Sequence, residues 1–320
     1  MATGIISIAL RDHGFLLIDR GLGVLAAVIF ALLVLRVMLA VVTGHTRAGA
    51  PDPDAATGRF TFVAACTVLG ARFEAHPAVL WTLAGAAAIG WLVLAPATVR
   101  AVWPQPVAVL RAHAHGGWLL ASVATAGLAI TAADLAIIGR WPGWIVVSAA
   151  AWVLALLLYA VIAALIVGRA LAEPFDEQER QPDSWILMGA LAISALAGDH
   201  LLAAARARSS SGWLIDVIRP GVTVLWVLAS LWIPVLLLGQ LRRIEARRGA
   251  ALITRSWWAA VFPLGMYATA TQATARQRNL PALGTISRIF TWIAAGLWVL
   301  TALSRIRAAV AAVRGSPRPG

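Results

Sequence analysis

The chain is a succession of ten apolar runs separated by short connectors rich in charge, glycine or proline. Eight of the runs are 20 residues or longer: 21–42, 78–99, 117–138, 144–167, 184–205, 217–241, 256–275 and 282–302. A helix of roughly 20 residues crosses the hydrocarbon core of a bilayer. Runs 2–10 and 60–71 are shorter. The pattern predicts an all-α, polytopic membrane protein with ten transmembrane helices. With 61% hydrophobic and 12% charged residues, a conventional soluble enzyme is excluded. A single transmembrane domain is expected over 1–313, with a Pro/Gly-rich disordered tail over 314–320. The stretch around Pro51-Asp52-Pro53-Asp54 reads as a mobile loop. The first run either continues through Arg11 to Ile18 or belongs to a helix whose start lies upstream.

The net charge is +12, and all 26 basic residues are arginine. The connectors after even-numbered runs, with the C-terminal tail, hold fifteen arginines; those after odd-numbered runs hold nine. The positive-inside rule then places both termini in the cytoplasm of a multi-pass protein of the cell membrane. The arginine excess is read as topology, with no nucleic-acid partner. A positive field near a pore mouth favours anions. Cys66 is the one cysteine and lies in an apolar run, so no disulfide framework exists.

The runs differ in side-chain size. Gly, Ala, Ser and Thr fill 12 of 18 positions over 116–133 and 11 of 20 over 256–275, but only 5 of 21 over 220–240. Small residues permit close helix approach or leave room for a lumen. The small-rich runs also open on aromatics: Phe60 and Phe62, Trp118, Trp185, and Trp257-Trp258. This predicts a repeated hairpin, a small-rich inner helix followed by a mostly bulkier outer one, with run 78–99 (11 of 22 small) breaking the pattern, consistent with a ring enclosing a path. In the ninth run Pro263 stands well inside a helix, with Gly265 two residues on, and predicts a kink. Phe262 beside it is a candidate plug, able to block ions by dewetting a narrow pore. The alternative is a core phenylalanine packed beside the kink.

No His-Glu-x-x-His, nucleophile-elbow or Walker motif occurs, and no metal or cofactor is expected. Arg36, Arg288, Asp134 and Asp199 lie at or within runs, and intramembrane charge signals function by default. Asp199, tuned by His200, is the candidate proton-coupling carboxylate. A membrane-embedded enzyme or cofactor protein using Asp134, Asp199 and His200 is the alternative reading.

The segment Trp257-Trp258-Ala259-Ala260-Val261-Phe262-Pro263-Leu264-Gly265-Met266-Tyr267, with Ala270-Thr271, resembles the ninth helix of the tellurite-resistance/dicarboxylate transporters. That family includes the plant slow anion channels. Trp185-Ile186 with Met188-Gly189-Ala190, Gly117-Trp118-Leu119-Leu120 with Val123-Ala124-Thr125, and Phe60-Thr61-Phe62-Val63-Ala64-Ala65 also match. The resemblance implies five hairpins in a pseudo-fivefold ring around a central pore, commonly in a homotrimer. It implies an anion channel or proton-coupled anion transporter acting on C4-dicarboxylate, sulfite, nitrate, chloride or tellurite. It assigns the gate to Phe262, with Phe62 as a second constriction. Thr3, Gly4, Ala65, Thr125, Gly189, Ala192 and Thr269 are the candidate pore-lining residues. Met1-Ala2-Thr3-Gly4-Ile5 matches a motif midway along the family's first helix, so that helix is expected to be truncated here. The Asp199 position is usually small and apolar in the family.

Overall fold

The computed structural model describes residues 1–43, 52–139, 141–172, 182–208, 212–246 and 257–315. Every regular element among them is helical. In chain order these are α1 (Ala2–Asp12), α2 (Leu16–Val42), α3 (Pro53–Gly58), α4 (Phe60–Arg72), α5 (Pro77–Val102) and α6 (Val107–His113), then α7 (Leu120–Ile138), α8 (Trp144–Ala172), α9 (Ile186–Ala207), α10 (Gly212–Ala246), α11 (Trp258–Arg278) and α12 (Pro281–Gly315). Short 3-10 turns, Gly116–Leu119 and Pro182–Trp185, lead into α7 and α9.

All ten apolar runs form helices, and seven of these are long and apolar enough to cross a membrane. The other three are α1 and α4, with 11 and 13 residues, and α11. α11 is 21 residues long but rich in Thr, Gln and Arg. Buried among other helices, it has little need of a lipid-compatible surface.

Several boundaries correct the sequence reading. α1 stops at Asp12, and Gly14 takes a left-handed φ of 83° before α2 begins at Leu16. The first helix therefore does not run on to Ile18. The stretch read as a mobile loop contains α3. Asp52 caps it, accepting the N–H groups of Asp54 at 3.1 Å and Ala55 at 3.3 Å, with Pro53 in the first turn. α6 lies in what read as a plain connector. The last helix reaches Gly315; residues 316–320 of the expected tail lie outside the described residues.

Burial divides the helices by composition. The most apolar windows of the spans containing α7 and α9 are 83% and 89% buried, against 6% to 22% in α2, α5, α8, α10 and α12. α5 is small-rich yet belongs to the exposed set, so small residues alone do not mark an inner helix. α1, α4 and α11 are buried along most of their length. Each inner helix packs against the outer helix that follows it: α1 with α2, α4 with α5, α7 with α8, α9 with α10, α11 with α12. The inner helices touch in the order α1, α4, α7, α9, α11, and α11 touches α1 again.

Glycine sets the closeness of these inner contacts. A Cβ at Gly189 would lie 2.7 Å from the Pro263 ring and 2.9 Å from its Cα, which fixes how near α9 comes to α11. A Cβ at Gly265 would lie 2.8 Å from Ile5 on α1. Gly4 against Val68 and Gly127 against Thr67 do the same between α1 and α4 and between α4 and α7.

A repeated tryptophan bond joins successive hairpins. Trp91 of α5 donates to Thr125 of α7 at 2.9 Å, and Trp152 of α8 to the Ser194 carbonyl of α9 at 2.8 Å. Trp226 of α10 donates to Thr271 of α11 at 3.0 Å, and Trp298 of α12 to Thr3 of α1 at 3.1 Å. In each case an outer helix reaches the next inner helix rather than its own hairpin partner. An indole N–H within a bilayer has no water to bond, so these partners satisfy it internally.

At the end of the molecule where α4, α7 and α9 begin, His115 ties three connectors together. Its Nδ1 lies 2.7 Å from Asp183, and its Nε2 lies 3.2 Å from Asp54, which also accepts the Trp118 indole N–H at 2.6 Å. The hydrogen bond to Asp183 holds His115 above its ordinary pKa against burial, and both carboxylates add attraction. Such a group stabilises the fold fully below the ordinary histidine value of about 6.5, and the contribution fades as pH rises through the raised value. The thermal-stability difference between the parent and His115→Asn is therefore expected to be largest in acid and to shrink in alkali. A difference independent of pH counts against the charged tie. Trp298→Phe removes one indole N–H while keeping ring bulk, and is expected to cost about 1 kcal/mol. Chemical denaturation in detergent measures it.

Candidate functional site: an axial cavity between the inner helices

One cavity of about 420 Å³ is walled by all five inner helices. α1 supplies Ile5, Ile8 and Arg11; α4 supplies Thr67 and Val68; α7 supplies Gly127 and Ile130. α9 supplies Ile193, Leu196 and His200, and α11 supplies Met266, Thr269, Ala273 and Arg276. The wall is apolar in its depth and charged toward the C-terminal ends of these helices.

The face of α11 is set by its neighbours. Successive residues turn by about 100°, so Phe262, Met266, Thr269, Ala273 and Arg276 fall on one stripe. Pro263, against Gly189 of α9, marks one flank of that stripe, and Gly265, against Ile5 of α1, marks the other. Phe262 therefore shares the direction of the cavity wall, one turn below Met266. It is 2% exposed and stands among the largest fully buried side chains. It lies just beyond the cavity lining.

The charged end is nearly self-neutral. Arg11 pairs with Glu74 at 3.2 Å, and Arg276 with Asp12 at 2.9 Å. Behind them Arg72 pairs with buried Asp19 at 2.8 Å and donates to Ser7 at 2.6 Å, while Ser7 donates to Asp19 at 2.7 Å. This joins α1, α2 and α4. Asp19 was not foreseen as an intramembrane charge because α2 starts five residues before the apolar run. The same end carries an arginine for every inner helix. Arg11, Arg72, Arg206 and Arg276 stand in the last turns of α1, α4, α9 and α11. Arg208 donates to the Ala136 and Gly139 carbonyls at the end of α7. Cations there satisfy terminal carbonyls and complement the helix dipoles.

Of the residues expected to line a pore, Thr269 alone lines this cavity. Thr3 and Thr125 face outward to accept the Trp298 and Trp91 bonds. Gly4 and Gly189 are spent on helix contacts, and Ala65 and Ala192 are buried away from the cavity wall. Phe62 is 39% exposed and stacks on Phe30 of α2 at 5.9 Å, on the outer side of α4. It takes no part in the cavity wall. Pro263 and Gly265 stand inside a continuous α11.

The intramembrane ionisable residues also rearrange. Asp199 is buried and accepts Thr274 Oγ1 at 3.2 Å through Oδ2, while its Oδ1 has no hydrogen-bond partner. It is absent from the cavity wall. Its neighbour His200 is in that wall, with Nδ1 held 2.7 Å from Asp134 of α7. The three groups do not converge on one point, and among the described residues no cluster of three potential metal ligands exists. Arg36 and Arg288 are exposed on outer helices. Sequence spacing could not show the Asp134–His200 pair, since 66 residues separate its members. The arginine ending most small-rich runs was a readable signal for the charged end.

A model of the voltage-dependent anion channel family matches residues 1–306 of the chain. An uncharacterized membrane protein of Mycobacterium tuberculosis, found in two strains, is 28% identical over 164 residues. That match covers 50% of this chain and 81% of the relative. Because the family model spans nearly the whole chain, the chain belongs to the voltage-dependent anion channel family.

Proposed function

We propose that the chain is an anion channel, or proton-coupled anion transporter, whose path follows the axis between the inner helices and is closed by Phe262. The observation that carries this reading is the place of Phe262 on the α11 stripe that also walls the cavity. A benzyl group there fills a passage otherwise bounded by small and aliphatic side chains. A constriction so apolar excludes ions by dewetting, without a closed door of charge.

Ten helices in five hairpins, arranged as a ring, account for several independent features. The inner neighbour order returns from α11 to α1. The Trp298–Thr3 bond repeats between the last and first hairpins the bond made between successive ones. Broad apolar faces on α2, α5, α8, α10 and α12 suit lipid and, in a homotrimer, neighbouring subunits. The arginine bias supports cytoplasmic termini in the cell membrane. Small anions such as chloride, nitrate, sulfite or a C4-dicarboxylate fit a cavity of about 420 Å³.

Phe262→Ala tests the gate. Reconstituted in liposomes, this variant is expected to raise chloride flux by roughly an order of magnitude, with cation flux unchanged. Its unfolding stability also separates gate from core. A fully packed core phenylalanine loses about 3–5 kcal/mol on truncation, whereas an axial plug loses less because its place opens to water. Unchanged flux with a large loss of stability makes Phe262 a core residue. Flux of nitrate, sulfite and malate through the same variant ranks the substrates.

A further inference from the structure

We propose that His200 is a protonation-dependent anion-binding group inside the axial cavity, with Asp134 as its positioning residue. The inference rests on the channel reading above and names the group that admits the anion.

Geometry singles His200 out. Its Nδ1 is taken by the Asp134 carboxylate at 2.7 Å. A carboxylate only accepts, so Nδ1 carries the proton in the neutral ring, and Nε2 then presents a lone pair. No bond to Nε2 is found among the described residues, and His200 belongs to the cavity wall. Protonation changes what the cavity meets: Nε2 turns from an acceptor that repels an anion into an N–H donor with positive charge. The other polar groups in the depth cannot do this. Thr67 and Thr269 donate their hydroxyl protons to Ala64 and Gly265 of their own helices, at 3.1 and 3.0 Å. Toward an incoming anion they show only oxygen lone pairs.

Charge arithmetic points the same way. In the cavity wall Arg11 is matched by Glu74, and Arg276 by Asp12. These four charges cancel. What remains at the wall is His200, held by Asp134, which is not itself part of the wall. With the imidazole neutral the pair leaves one negative charge beside the path; with it protonated the pair is neutral and offers a donor. Other charged groups near this end are the paired Arg72 and Asp19, Arg208 on the carbonyls that end α7, Asp199 and Arg206 on the same helix, Arg278 on α11, and Asp216 and Arg219 on α10. Arg206 is engaged by Gln277, and Arg278 by Thr223 and the Arg219 carbonyl. Asp199 faces Thr274, off the cavity wall. None of these puts a free donor into the cavity depth. The proton-coupling role expected of Asp199 thus moves to its neighbour. The ligand is a small anion with one exposed oxygen or halide face: chloride, nitrate, sulfite, or one carboxylate of a dicarboxylate.

The test uses the full chain in liposomes, in the Phe262→Ala background, with chloride and malate as probes and equal pH on both sides. Flux is expected to rise severalfold as pH falls from about 10 to about 5.5, a window wide enough to hold the titration of a histidine bonded to a carboxylate. His200→Gln should abolish the rise and hold flux at the low, alkaline level. His200→Arg, charged at every pH, should hold it at the high, acid level. Asp134→Asn removes the residual negative charge, so alkaline flux should increase. If both His200 variants keep the parent pH profile, the proposal is overturned, while Phe262 gating stands. If Phe262→Ala carries no flux at any pH, the channel reading fails instead. Should His200→Gln not fold, the His200→Arg and Asp134→Asn profiles decide.

Discussion

The structure depends on how closely five small-rich helices can approach one another. In a bilayer there is no hydrophobic drive between helices, so contact comes from packing and from internally satisfied polar groups. Gly4, Gly127, Gly189 and Gly265 each occupy a point where a Cβ would meet a neighbouring inner helix. A methyl group at Gly189 would strike the backbone of Pro263, not a side chain able to swing away. The proline of α11 is thus seated in a notch on α9, and that seat fixes the rotation of α11. The direction of Phe262 follows from this contact. Close packing in the wall and the place of Phe262 are therefore one geometric fact.

Polar satisfaction then does the work between hairpins. Four outer helices each donate an indole N–H to the next inner helix. α2 has no tryptophan and meets α4 instead through Phe30 on Phe62 and through the Asp19–Arg72 ion pair. That buried pair is costly to desolvate, and Ser7 helps by bonding both partners. Thr3 and Thr125, two of the three threonines expected to line a pore, serve these bonds instead. A hydroxyl in a small-rich helix has two uses, facing a lumen or accepting from a neighbour, and composition does not separate them.

Much of the fold was legible for a physical reason. Lipid demands long apolar segments, and that demand is written residue by residue along the chain. All ten runs became helices. Hairpin pairing was legible because inner helices, relieved of lipid contact, tolerate small residues. α5 shows the limit, small-rich yet lipid-exposed. The cavity was barely legible. Its wall draws two to four residues from each of five helices, and which residues face it depends on helix rotation. Rotation is set by contacts such as Gly189 on Pro263, which join positions 74 apart and leave no local period. Thr67, Gly127, Met266 and His200 were missed or misassigned for this reason. α3 was missed because its N-cap, Asp52, lies in a Pro/Asp stretch that reads as a turn.

Anion preference in such a molecule need not come from a ring of positive charge. The arginines at the ends of the inner helices are committed: to Glu74, Asp12 and Asp19, to Gln277, and to the carbonyls that end α7. They neutralise helix ends that would otherwise present negative dipoles to the mouth. On the channel reading, their first effect is to remove a barrier to anions. Glu74, Asp12 and Asp19 are committed to those arginines in turn, so neither sign dominates the approach. In so balanced a setting, one uncompensated charge at low dielectric outweighs many paired ones farther out. Asp134 is the carboxylate placed to be that charge, and the imidazole beside it is the group able to cancel it. On the proposed reading, an apolar constriction needs only to admit or exclude water, because the sign of the passing ion is chosen in the cavity above it.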